Sequence, residues 1–233
     1  MAFMGSIEDV HKALFTDTIV PVVLESMRLF PDAIVMASGI YALLIQSAPY
    51  GVFFGSMVEA TLIFRLIKEF ATYVNITGTF APSYSSNTSA CRTGFTNPTA
   101  TMEMMTLFGR DPLGIGFPSA PLYMISVAAA YIFTTLNKQS KELQALGPAY
   151  SSRYYSSAIF LLMIVALFIV FRLFFQCDGF GVLIMSMVIG LFVGTILVQQ
   201  NERLFGAQSI NLIGIPLLRN RTADGKKLYV CPK

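Results

Sequence analysis

The chain has 233 residues, 55% of them hydrophobic and only 12% charged, with a mean hydropathy of +0.63. Water-soluble domains carry roughly 25% charged residues, so this composition excludes an ordinary soluble domain, whose surface it could not cover. The formal net charge of +3 is too small to suggest a nucleic-acid partner. What remains is an all-α membrane protein whose helices each need about 20 apolar residues to cross a bilayer.

Residues 1–32 form an amphipathic N-terminal segment, with Glu8, Asp9, Lys12, Asp17, Glu25 and Arg28 set among Ile7, Val10, Leu14, Ile19, Val23 and Met27. This pattern predicts one or two helices divided at Pro21, lying on the membrane or packed on the rest of the protein. A basic stretch followed by a continuous apolar run is missing from residues 1–12, so no cleavable signal peptide is expected. Ala2 stands where myristoylation needs glycine.

Residues 33–64 are the first transmembrane region. They are long for one span and short for two. The first reading is a single tilted helix kinked at Pro49, and the second is a tight helical hairpin turning at Pro49, Tyr50 and Gly51. Residues 65–120 are rich in Ser, Thr, Asn, Gly and Pro and read as a long extramembrane loop. A shorter transmembrane helix follows over 121–136, with Pro121 suited to its first turn.

Two uninterrupted apolar runs, 156–175 and 179–199, are joined only by Gln176, Cys177 and Asp178, which predicts an antiparallel transmembrane hairpin. Arg172 is the one charge in the first run, near its end, where it is expected to snorkel to the interface. Gly190 and Gly194 form a GxxxG in the second run. Such a pair permits close helix approach, though glycine is common in membrane helices generally. The count is four spans, or five if 33–64 is a hairpin.

The tail, 200–233, is basic. Asp224-Gly225 is a two-residue hairpin signal between strand-like flanks. An isolated two-stranded hairpin is marginal in water. The tail is therefore expected to dock, either on its own 137–155 loop or on a partner through Arg219, Arg221, Lys226, Lys227 and Tyr229.

With four spans, Lys12, Arg28, Lys138, Lys141, Arg153, Arg203 and the tail's basic residues share one side, against Arg65, Lys68, Arg92, Arg110 and Arg172 on the other. The positive-inside rule then places both termini in the cytosol. A hairpin at Pro49 would move the N-terminus across and leave the tail in place. The 65–120 loop faces the lumen or exterior, where the sequons at Asn75 and Asn87 are candidate glycosylation sites. The sequon at Asn220 falls on the cytosolic side. Cys91 and Cys177 fall on one side and are the candidate disulfide pair, with their separation left open by the sequence.

No catalytic constellation is present: no HExxH, GxSxG or Walker A, and His11 is the only histidine. No enzyme activity, cofactor or metal site is expected. Met102, Met104 and Met105 lack nearby ligands and read as packing residues. Glu59 is the one acidic residue at membrane depth, and a small transporter or channel would use it first.

The tail stretch 214–232 (GIPLLRNRTADGKKLYVCP), with 91–109 (CRTGFTNPTATMEMMTLFG) and 116–123 (GFPSAPLY), resembles small multi-span proteins of the nucleocytoplasmic large DNA viruses, the giant viruses. The resemblance implies a component of the virion's inner membrane, or a minor capsid protein linking that membrane to the capsid shell. It implies lipids and other capsid or membrane proteins as partners, and transfers no active-site residues. A structural role in the virion is the first expectation, and a transporter or channel the second.

Overall fold

The computed structural model describes residues 20–74, 91, 116–145 and 148–212, and every described element is helical. In chain order these are α1 (Val20–Ile45), α2 (Ala48–Tyr73), α3 (Ala120–Lys138), the single-turn α4 (Ser140–Ala145), α5 (Pro148–Phe174) and α6 (Phe180–Phe205). Four segments are long and apolar enough to cross a membrane: Ala48–Tyr73, Ala120–Lys138, Tyr154–Phe174 and Phe180–Phe205. A shorter apolar segment, Leu29–Ile45, lies within α1. The hairpin expected in the tail, and the segment 1–19, lie outside the described residues.

Residues 33–64 are not one kinked helix. α1 and α2 form a helical hairpin, and the chain turns at Gln46 and Ser47 rather than at 49–51. Gln46 adopts φ +50°, and Ser47 is an extended N-cap. Pro49 then occupies the first turn of α2, where its missing N–H has no intrahelical acceptor to lose. The hairpin fits because both helices extend beyond the apolar stretch. Among the described residues α1 runs unbroken from Val20 to Ile45, so residues 20–32 continue into the bundle; the division expected at Pro21 involves residues before Val20, which lie outside the described residues. α2 runs on through Arg65, Lys68 and Glu69 to Tyr73, so residues 65–73 are helical rather than part of the loop expected from residue 65.

α3 is the central helix. All its residues from Ala120 to Tyr131 are buried. α6 packs beside it in parallel, and the GxxxG is the contact. A Cβ on Gly190 would lie 2.6 Å from the Tyr123 carbonyl oxygen, and one on Gly194 would lie 2.4 Å from that of Val127. Ser126 and Ala130 supply the small facing positions on α3. Without a hydrophobic driving force between helices in lipid, such close approach supplies the dispersion contact that holds them together. α2 closes the other side of α3, with Phe64 against Tyr123 and Phe53 against Tyr131. Met57, Ala60, Val127 and Leu197 fill the space between.

α5 is peripheral. Ile159, Phe160, Leu162, Met163, Leu167, Val170 and Phe174 are all exposed on it. Leu43 and Leu44 of α1, Leu66 of α2 and Phe192 of α6 continue this apolar belt around the bundle. A belt of this extent is the surface of a protein solvated by hydrocarbon.

The helix directions give the bundle two ends. One end gathers the α1–α2 turn, the α3–α5 connection and the exit of α6. The other gathers the start of α1, the exit of α2, the entry of α3 and the α5–α6 turn.

Candidate functional site

Polar side chains inside the bundle collect in two layers, one near each end. The first is built on the α5–α6 turn. Gln176 adopts φ +53°, and the Cys177 N–H donates to the Arg172 carbonyl at 2.9 Å, folding the link back on α5. That fold sets Asp178 beside Arg172. Arg172 Nε donates to Asp178 Oδ2 at 2.8 Å, and Nη2 lies 2.6 Å from the same oxygen. Ser119, the N-cap of α3, donates its Oγ–H to that oxygen at 2.7 Å. The Ser119 N–H donates to Ser186 Oγ on α6 at 2.8 Å. Arg172 of α5 and the N-cap of α3 therefore meet on one carboxylate oxygen, the N-cap is tied in turn to α6, and both charged side chains are almost wholly buried.

Arg172 does not snorkel. Its expected route to the interface is replaced by an acidic partner across the turn, which satisfies the charge where it sits. The same guanidinium donates through Nη1 to the Cys91 carbonyl at 3.1 Å. The Cys91 and Cys177 sulfurs are bonded to each other, with both residues fully buried and Cα atoms 5.3 Å apart. One residue of the extramembrane segment is thus fastened to the bundle twice, covalently through sulfur and polarly through its carbonyl.

The second layer lies toward the opposite end. Asn201 Nδ2 of α6 donates to Ser56 Oγ of α2 at 2.6 Å and to Tyr131 OH of α3 at 3.1 Å. The adjacent Gln200 Nε2 faces both oxygens of Glu59, about one turn beyond Ser56 on α2, at 3.0 and 3.2 Å. Tyr123 OH donates to the Ala60 carbonyl at 3.0 Å. Lys138 and Glu202 form an ion pair at the rim. Beyond α6, the chain turns at Gly206, with φ +81°, and returns so that Ile210 enters the core and Leu212 accepts from Tyr50 OH at 2.7 Å.

Glu59, the sequence candidate for transport, is therefore half-buried and bound to a neutral amide. A different carboxyl is the outlier. Asp32 of α1 is 2% exposed, and neither of its oxygens has a hydrogen-bond partner. Sequence reasoning left it at the edge of an amphipathic segment. Its depth follows only once 20–45 is one helix. Arg219, Arg221, Lys226, Lys227, Tyr229, Asn75, Asn87, His11 and Met102–Met105 lie outside the described residues.

Chemically, both layers are made of paired groups that hold helices at fixed positions. Among the described residues no three His, Cys, Asp or Glu side chains gather as a metal site would require. No protein-family model matches the chain, and comparison with curated proteins and with solved structures finds no similar one.

Proposed function

We propose that this protein is a structural membrane protein that anchors a protein shell or scaffold to a bilayer. The double fastening of Cys91 to the α5–α6 turn is the observation that carries this reading. A segment that binds a partner under load must pass that load to the bundle. Here the route runs from Cys91 through Cys177 and Arg172 into α5 and α6, and through Ser119 into α3. At the opposite end Leu212, bonded to Tyr50, is the last described residue before the basic tail sequence, the second attachment point of this reading. Two attachment points on two membrane faces suit a linker between a membrane and a shell. The resemblance to giant-virus proteins supports the inner membrane of a virion as the setting.

Orientation follows the same logic. Disulfides persist in oxidising compartments, which supports a lumenal or exterior position for the Cys91–Cys177 end. Lys138, Lys141, Arg153 and Arg203 belong to the other end, which supports a cytosolic position for that end. With α1 and α2 as a membrane hairpin, the N-terminus lies opposite the tail.

The test is crosslinking in the assembled membrane. Deleting 214–233 should leave insertion intact and abolish partner recovery. Unchanged recovery contradicts the tail's role.

Glu59 with Gln200, and the unpartnered Asp32, favour a second reading, a small transporter or channel. Ion or solute flux in liposomes that disappears in Glu59→Gln would replace the structural reading.

A further inference from the structure

α1 carries a carboxyl on the face it buries. Pro31, Asp32, Val35 and Ser38 are all buried, at the spacing of one helix face, while Ala37 and Ile40 on the other side are exposed. Asp32 also lies inside the apolar segment Leu29–Ile45. About 20 Å of helix separates it from the α1–α2 turn at 1.5 Å per residue, which keeps it within a hydrocarbon core about 30 Å thick.

Its surroundings are apolar. Val35 enters the cluster of Met57 and Val127, and Phe30 and Ile34 pack on Leu122 and Phe168. The titratable groups on the helices packed around it are committed elsewhere. Tyr123 donates to the Ala60 carbonyl, Tyr131 accepts from Asn201, Glu59 faces Gln200, and Arg172 is paired with Asp178. No hydrogen bond and no ion pair reaches either oxygen of Asp32, although Arg28 stands four residues earlier in the sequence.

An ionised carboxylate can only accept hydrogen bonds, and this one would receive none. A neutral acid brings its own donor. Burial of an isolated charge is costly enough that such a group neutralises instead. The helix also has a use for that donor. Pro31 lies inside α1 and lacks an N–H, so the carbonyl of residue 27 loses its intrahelical partner. Helix side chains lean toward the N-terminus, so an O–H on Asp32 comes to the level of that carbonyl. Metal cations take several ligands, and among the described residues no three His, Cys, Asp or Glu gather anywhere. A proton needs one oxygen.

We propose that Asp32 is a proton-binding site inside the membrane, whose carboxyl holds its proton at neutral pH and offers the O–H to its own helix at the Pro31 turn. The inference requires only that α1 lies in the bilayer and is independent of the anchoring role.

The test is infrared spectroscopy of the full chain in liposomes at neutral pH, with carbon-13 in the aspartate side-chain carboxyls. An ordinary aspartate, with a pKa of about 3.9, is protonated about once in a thousand at about pH 7. The labelled wild type should instead show an isotope-shifted carboxylic acid C=O band, distinct from the carboxylate and amide bands, amounting to about one acid per chain. Asp32→Asn should lose the band. Asp32→Glu, whose carboxyl carries no label, should lose the shifted band and gain an unshifted one. Formation of the Cys91–Cys177 bond in each variant reports an intact bundle. A wild type without the band overturns the proposal whatever the variants do, and so does a band that persists unchanged in Asp32→Asn.

Discussion

Arg172 and Asp178 face each other across the α5–α6 turn as a buried ion pair, and the Cys91 carbonyl takes a further N–H of the same guanidinium. Desolvation of both charges offsets much of their attraction, so the pair adds little net stability but is expensive to break. Arg172→Leu should destabilise the detergent-solubilised protein by about 3–5 kcal/mol, because it strands the Asp178 carboxylate. The double variant Arg172→Met with Asp178→Leu should recover most of that loss. Thermal unfolding followed by size-exclusion chromatography checks both, and a double variant no better than the single contradicts the account.

Removing the disulfide should act locally. Cys91→Ser should leave the helix content of the bundle unchanged and cost roughly 2–4 kcal/mol of stability. It should also make the 74–119 segment cleavable at lower protease concentration. Circular dichroism with limited proteolysis separates these effects. Loss of helix content would mean that the bond organises the bundle and does not merely fasten the segment to it.

The α3–α6 contact depends on two absent side chains. Gly194→Leu would drive a branched side chain into the Val127 carbonyl and should cost about 1–3 kcal/mol or more. Gly51→Leu, where nothing lies within 4 Å of the added Cβ, should be nearly neutral on steric grounds. Comparing their melting temperatures in one detergent tests whether close approach, and not glycine content, is what matters.

Much of this was legible from the chain alone, and the failures have physical causes. The runs at 156–175 and 179–199 are legible as α5 and α6 because each is long and apolar, with Arg172 the single charge in the two. The α1–α2 hairpin was obscured because both helices extend through charged residues: Asp32 in α1, and Arg65, Lys68 and Glu69 in α2. The apolar stretch alone is long for one span and short for two, so a kinked single helix comes ahead of the hairpin. Arg172 was misplaced because its burial depends on Asp178, whose direction is set by the backbone of Gln176. Gly190 and Gly194 were visible as a motif, but their partner helix was not. Asn201 and Ser56 are 145 residues apart, and no local pattern links them.

That link has its own prediction. In lipid, interhelical hydrogen bonds average about 0.6 kcal/mol and reach about 1.7. A double-mutant cycle on Ser56→Ala and Asn201→Leu should therefore give a coupling in this range, and near its top because the contact is 2.6 Å and buried. A coupling near zero would show that Tyr131 alone satisfies Asn201.

The most direct test of the membrane account is protease protection in sealed microsomes. Epitope tags are placed after Lys233 and between residues 80 and 85, with the chain inserted during synthesis. The account predicts that the C-terminal tag is removed by external protease while the loop tag survives until detergent is added. Both tags removed without detergent, or both protected, would contradict a bundle whose Cys91–Cys177 end and tail lie on opposite faces of the bilayer.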